Sequence, residues 1–383
     1  LQTKRKNGAR VSGPLAALGF CTSLGIVRQA SPPCQDGNSL KSQNLRKNRN
    51  KNDTVQPLFL HPRDLDLDAP HLFWATPPDD ALTASLATLG QTTPALVFPG
   101  EGRPVLAAGA RRAAVLRALR GRTLCAVAVE PQDMEPELAA LPEPLRLGAV
   151  YLASNLGRAV TDAMAVAAAR YFVAAGGAEA YETLAASRLF PDGDRRGALV
   201  SRWLALPPAL DALLEAGHVP LGAAGALAAL GAATLDALWP LLTAVRWSRA
   251  NLANALTWLT EAARLAGEAP ESILGRCGAL DLPGRGLSPN DLAAGVLAAL
   301  RRARYPATTT LEARFAALCR TVTPRGSKVR LSPSQGFEAD AVTVTATAKS
   351  PAELARIAAD IAAMAAAPDL PRLLRVAHED DPA

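Results

Sequence analysis

The sequence predicts a mainly helical α+β protein, with a small α/β unit first, a helical middle and a small α/β unit last. Three observations predict it. Apolar residues make up 49% of the 383, yet aromatics only 4%, and such small side chains favour close-packed helices over a β-sandwich. Strand and helix signals alternate over residues 57–130 and return from about 306. Between them, 131–305 reads as helix punctuated by Pro and Gly. A chain of this length carries more than one core, because single cores seldom grow beyond about 250–300 residues.

Residues 1–56 lack periodicity and contain the run KSQNLRKNRNKND, the pattern of a solvated, disordered arm. The arm holds ten Lys/Arg and two Asp/Glu, a net +8, whereas the remainder holds 31 and 33, a net −2. The overall +6 therefore belongs to the arm. Phosphate affinity in the folded part has to come from local arginine clusters rather than from the overall field. The basic 4–10 and mostly apolar 14–27 loosely resemble a signal peptide. Gly, Ser and Thr interrupt that stretch, however, and no A-x-A site follows. The chain begins with Leu rather than Met, so the arm is given little weight.

Residues 57–130 read as a small α/β domain. Pro77 and Pro78 precede Asp79 and Asp80, acids suited to a first helical turn. Leu82, Leu86 and Leu89 share one helix face and Gly90 ends it. Strands are expected at Pro94–Phe98, Pro104–Ala108 and Leu124–Val129, with a helix over Ala110–Arg120 that turns Val115, Leu116 and Leu119 inward. The helical middle divides into a domain at 131–235, with a helix at Ala198–Leu206, and a linker region at 236–305. Its tryptophans Trp203, Trp239, Trp247 and Trp258 are expected as core anchors. The uncharged run Val219–Leu235 is at the short limit for a membrane span, and its Ala and Gly favour a buried helix pair. In 306–383, a helix near Leu311–Arg320 precedes strands at Lys328–Leu331 and Ala341–Ala348 and a helix at Pro351–Ala365. The tail HEDD (378–381) is expected to be solvated.

Several chemistries are excluded. The five cysteines, Cys21, Cys34, Cys125, Cys277 and Cys319, form no CxxC pair, which speaks against a zinc site or a disulfide framework and for a reducing cytoplasm. Cys125 and Cys319 read as buried thiols. His61, His71, His218 and His378 stand at no ligand spacing and read as surface or capped residues. No P-loop, HExxH or GxSxG is present. No catalytic residue and no metal ligand is assigned.

What remains is a strand running into Gly109-Ala110-Arg111-Arg112 and a helix. A glycine there lets a ligand approach the backbone. The helix start offers free N–H groups and the positive dipole end, and two arginines add charge-assisted donors. A tight turn with two solvated arginines fits the same residues, and spacing alone leaves both readings open. Arg195, Arg196 and Arg202 surround the Ala198–Leu206 helix and are candidates for DNA contact. Against that, Pro191 and Gly193 interrupt the helix that should precede it. Arg301, Arg302 and Arg304 form a second basic cluster that equally fits a solvated helix face.

Taken in order, these segments resemble the ParB-like family of DNA-partition proteins, as a divergent member. Asp80 to Phe98 resembles that family's helix–Gly–Pro–strand opening, and Ala107–Arg112 its G-E-R-R phosphate motif. Ser154-Asn-Leu-Gly-Arg158 resembles its E-N-L-x-R motif, and Arg202–Leu210 with Leu214–Gly222 the end of its helix-turn-helix domain. The likeness covers roughly 60–235. Residues 236–383 resemble the tail of a less-studied ParB-like group, with Arg304-Tyr-Pro306 and Gly336-Phe-Glu338 as landmarks.

The resemblance implies a DNA-binding protein of chromosome or plasmid partition on the nucleoid. It implies gating by CTP with magnesium, a homodimer joined through 306–383 and a partner ATPase. Gly109, Arg111, Arg112, Asn155 and Arg158 carry over as triphosphate contacts. Ala110 and Ser154 stand where the family has Glu, and magnesium generally takes a carboxylate. The expectation is therefore nucleotide binding with weak or absent turnover. Ala110 also excludes the nucleophilic cysteine of sulfiredoxin-like relatives and the acidic base of kinase-like ones. A CTP hydrolase or nuclease-type enzyme on the same scaffold is the alternative, and an adaptor that has lost both ligands is a third reading.

Overall fold

The computed structural model describes residues 56–100, 102–190 and 194–378. The basic arm, the stretch 14–27, Cys21, Cys34, Pro191, Gly193 and the acids of the C-terminal tail lie outside the described residues.

The first unit is a four-stranded mixed sheet of β1 (Leu58–Leu60), β2 (Ala95–Phe98), β3 (Val105–Ala108) and β4 (Leu124–Ala128) in the order β1-β4-β2-β3. β2 and β3 form an antiparallel hairpin, while β2 and β4 run parallel. The parallel pair needs a crossover, which α2 (Ala110–Ala118) supplies. α1 (Asp80–Leu89) packs on α2. It begins where the sequence places acids: the Asp79 side chain accepts the Leu82 N–H as N-cap. Of its expected inner leucines, Leu86 is buried, but Leu89, the last residue of α1 before Gly90, is 73% exposed. β1 was not foreseen: three residues are too few to show a period.

Alternation along β3 divides the two faces of the sheet. Leu106 and Ala108 join the main core with Ala113 and Leu116, and Ala107 packs on the other side with Phe98 and Leu147. The second face is covered by α4 (Glu143–Ala153), which follows the short α3 (Pro136–Ala139).

α5 (Asp162–Tyr181) is broken at Gly176 and Gly177, where the backbone leaves helical values. Gly177 has φ 78°, a conformation glycine adopts without strain. A π-helical turn (Glu182–Ala186) and α6 (Ser187–Leu189) follow. Then come α7 (Arg196–Trp203), α8 (Ala209–Glu215), α9 (Ala224–Ala228), α10 (Ala232–Ala244), α11 (Arg249–Ala266), α12 (Pro270–Arg276) and α13 (Pro289–Arg304). One apolar cluster runs through the sheet and these helices, from Leu65 to Leu300. Val219–Leu235 spans α9 and the start of α10, with Leu221, Ala224 and Leu227 buried and Ala226, Ala228 and Ala229 exposed, and no helix among the described residues is long and apolar enough to cross a membrane.

Trp203 and Trp247 are buried, Trp258 packs against the core, and Trp239 is 36% exposed. Trp239 therefore departs from the expected anchor role: it lies beside, not within, the buried face of α10 made by Leu238, Leu241 and Leu242.

A bidentate ion pair clasps the helical core. Arg170 reaches both oxygens of Asp211 (2.9 and 3.1 Å) and donates to the Leu204 and Leu206 carbonyls, while Trp203 Nε1 donates to Asp211 Oδ1 at 2.8 Å. This ties α5, α7 and α8 together.

The C-terminal part has a separate core of Phe315, Leu318, Val322, Val329, Ile357, Met364, Leu373 and Val376. It comprises α14 (Pro306–Val322), the antiparallel pair β5 (Arg330–Pro333) and β6 (Val342–Thr345), α15 (Pro351–Ala365) and α16 (Leu370–Leu374). The architecture is thus mainly helical α+β with two separate small sheets.

Candidate functional site

Gly109 ends β3 and caps α2 with φ 106° and ψ 18°. A Cβ at this position would lie 2.9 Å from the Ala95 Cβ, so both conformation and space require glycine. No side chain caps the helix, and its first intrahelical bond is Ala113 N–H to Gly109 O. The amides before Ala113 are the unpaired donors that every helix start leaves.

The two arginines of the motif part company. Arg111 Nη2 pairs with Asp79 Oδ2 at 2.7 Å. The Leu82 backbone N–H, then Arg111, hold the Asp79 carboxyl below its usual range. The Nε of Arg111 is buried without a partner. Arg112 instead folds back beneath Gly109 and donates to the Thr93 carbonyl at 2.9 Å. Burial lowers its pKa. Arg112 thus ties α2 to the segment before β2 through one nitrogen, with its Nη2 beside Gly109.

The second motif follows α4. Asn155 Nδ2 donates to the Tyr151 carbonyl at 2.7 Å and Ser154 Oγ to Val150 O at 2.7 Å. Both side chains thus satisfy the last carbonyls of α4. Arg158 lies over the Trp74 indole, its Cζ 5.1 Å from the ring centroid. Its Nε and Nη2 are buried and have no hydrogen-bond partner. Burial raises the Tyr151 pKa, and the neighbouring Arg158 opposes that rise. Trp74 Nε1 is satisfied by Met164 O at 2.6 Å.

A single loop links the arginines: Trp74 underlies Arg158, and Asp79, five residues on, pairs with Arg111. Five extended residues span at most about 18 Å. The loop is fixed at its start by His71, whose Nε2 bonds the Leu106 carbonyl of β3 at 2.7 Å. His71 is only 5% exposed, so of the surface and capped readings it fits the capped one. Desolvation lowers its pKa, against the Leu106 bond. Trp74, Tyr151 and Asp79 were not assigned to the site from sequence. The cluster His71-Leu-Phe-Trp74 directly before Pro77-Pro78 was the available signal.

The donor set fits an anion better than a magnesium ion. Ser154 and Asn155 are neutral, and the carboxylate of Asp79 is engaged by Leu82 and Arg111. Magnesium takes oxygen ligands, usually with one or two carboxylates.

The arginines around α7 also separate. Arg196 pairs with Asp194 at 2.8 Å and lies over the Phe190 ring. Arg195 and Arg202 are exposed. Arg202 and Leu199 line an open groove of about 540 Å³ whose floor is Gly222, Gly225 and Ala226 and whose far wall is Arg249. Arg202 passes over Gly225 and Arg249 over Gly222, where a Cβ would lie 3.4 and 2.8 Å from the guanidinium-bearing chains. Arg249 opens α11 and was missed, because it lies 47 residues from Arg202 in sequence.

The cluster Arg301, Arg302 and Arg304 is largely engaged. Arg301 forms a bidentate pair with Glu312, and Arg304 pairs with Glu261 and stacks on Tyr305. Cys125, Cys277 and Cys319 are free thiols, half-buried rather than fully buried, and desolvation raises the pKa of each.

No protein-family model matches the chain, and no curated protein sequence matches it. Among solved structures, the C-terminally truncated chromosome-partitioning protein ParB from Caulobacter crescentus complexed with CTP-gamma-S is 20% identical to it. That match covers 49% of this chain and 99% of that chain, with a TM-score of 0.20. A TM-score of that size does not establish a shared fold, and the chain is left with a likeness rather than a family.

Proposed function

We propose that this chain is a ParB-like, DNA-associated protein that binds the phosphates of a nucleotide, CTP by resemblance, beside Gly109, Arg111 and Arg158. One observation carries the reading. Arg158 holds a guanidinium against Trp74 with two buried N–H donors that have no acceptor. Buried donors are nearly always paired, and an anion supplies the missing acceptors with charge-assisted bonds. The left-handed Gly109 and the uncapped start of α2 support it. The Arg111–Asp79 pair is exposed enough to exchange its carboxylate for a phosphate, since solvent-screened surface pairs contribute little.

The DNA surface in this reading is the groove of Arg202 and Arg249, together with Arg195, exposed at the start of α7. Guanidiniums on either side of a floor of small residues admit a phosphodiester backbone closely. Localisation on the nucleoid, a homodimer through the C-terminal unit, a partner ATPase and a role in partition follow from the sequence resemblance. Turnover is weak or absent in this reading, because Ala110 and Ser154 stand where the resembled motifs have Glu, and Asn155 beside Ser154 is neutral. The hydrolase alternative draws no support from a specific side chain.

Calorimetry with CTP, GTP and inorganic phosphate, with and without magnesium, tests the site. Binding lost in both Arg158→Ala and Arg111→Ala supports it, and affinity unchanged in both refutes it. Asp79→Asn keeps the cap on α1 and frees Arg111, so it should tighten binding severalfold. A gel shift of duplex across salt tests the groove. Arg195→Ala and Arg202→Ala should each make the log–log salt slope shallower by about 0.9.

A further inference from the structure

The folded part is slightly acidic, yet residues 313–337 contain Arg314, Arg320, Arg325, Lys328 and Arg330 and not one Asp or Glu. The fold gathers part of that charge at one place. An open groove of about 510 Å³ lies between the end of α14 and the outer side of β5, lined by Arg320, Arg330, Thr323, Gly326, Ser327 and Ser332. Lys328 is drawn away into an ion pair with Glu353. Arg320, Arg325 and Arg330 have no ion-pair partner among the described residues, and all three are exposed.

A tight turn joins the two walls. Ser327 N–H bonds the Pro324 carbonyl at 3.0 Å, Gly326 takes φ 80°, and the Ser327 hydroxyl accepts the Val329 N–H. Arg325 sits on this turn, between the lining residues Pro324 and Gly326, but does not itself line the groove. The C-terminus of α14 adds about half a negative charge at one end. That offsets one of the two lining guanidiniums in part and leaves the groove cationic. Cys319, which also lines it, has its pKa raised by burial and adds no charge.

We propose that this groove is a phosphate-binding site of the C-terminal unit, separate from the site at Gly109 and Arg158. Two unpaired planar donors, Arg320 and Arg330, around hydroxyl groups match phosphate oxygens. The groove is open rather than enclosed, so it takes a phosphate carried on a larger molecule: the backbone of a nucleic-acid strand or the tail of a free nucleotide.

Cys319 reports on occupancy in the intact protein. Its alkylation rate is read by peptide mass mapping, with Cys277 as the internal reference, in the presence of a 30-mer duplex, CTP or pyrophosphate. Bound phosphate should slow Cys319 in proportion to the unoccupied fraction, about tenfold at about ten times Kd, and leave Cys277 unchanged. Protection by duplex alone identifies a strand, and protection by CTP or pyrophosphate a nucleotide tail; either supports the proposal. Arg320→Ala with Arg330→Ala should abolish the protection and lower the salt slope of duplex binding by about 2, while Arg→Lys at both positions retains most of each. A Cys319 rate unchanged by saturating duplex, CTP and pyrophosphate overturns the proposal. That outcome does not depend on Arg158, whose own ligand is read by calorimetry.

Discussion

Replacing Arg158 by Met keeps the length and much of the volume of the side chain but removes its charge. In the ligand-free protein, Nε and Nη2 are buried without acceptors, and each missing partner costs about 1–3 kcal/mol. The stack on Trp74 returns about 0.5–2 kcal/mol. The side chain as a whole is only half-buried, so solvent screens it and the lower figures apply, leaving a net cost of about 1 kcal/mol. Arg158→Met should therefore raise the melting temperature of the free protein by about 2–4 °C. It should also destroy anion binding. Two charge-assisted bonds of about 1.5–3 kcal/mol each correspond to a loss of about a hundredfold or more in affinity. The assay is paired: a thermal melt of the free protein and calorimetry with CTP and phosphate on the same preparation. A variant that melts several degrees lower and still binds phosphate like the parent would refute the reasoning, because the arginine would then be a structural prop with hidden partners.

Other outcomes follow from the same geometry. Asp211→Ala strands the Arg170 guanidinium and the Trp203 indole N–H together, so it should cost about 2–4 kcal/mol in denaturant unfolding, with Asp211→Asn milder. Gly109→Ala places a Cβ 2.9 Å from the Ala95 Cβ at a positive φ; it should cost about 2–4 kcal/mol and weaken phosphate binding. Burial holds the His71 pKa below its ordinary 6.5, so the unfolded chain takes up the proton first as pH falls. Its contribution to stability is complete above 6.5 and is lost as pH drops from there through the folded value. Melts of the parent and His71→Gln between about pH 8 and pH 5 should converge or cross on the acid side, and parallel curves would argue against a buried neutral imidazole.

Local chemistry made much of this protein legible from its sequence. Asp79 caps α1, Gly109 separates β3 from α2, and α15 occupies Pro351–Ala365 as read. Each is decided within a few residues, by capping, by backbone freedom or by the 3.6-residue period, so one-dimensional information suffices. The mainly helical α+β class followed for the same reason. Distance along the chain hid the rest. Arg111 and Arg112 are adjacent and chemically identical, yet one meets Asp79 and the other the Thr93 carbonyl. Arg301 and Arg304 looked like a basic face until the fold brought Glu312 and Glu261 to them. Arg202 found Arg249 across a groove, and Arg158 found Trp74 rather than an acceptor. A charged side chain's role is set by what lies within about 4 Å of it, and only the tertiary structure decides which partner that is.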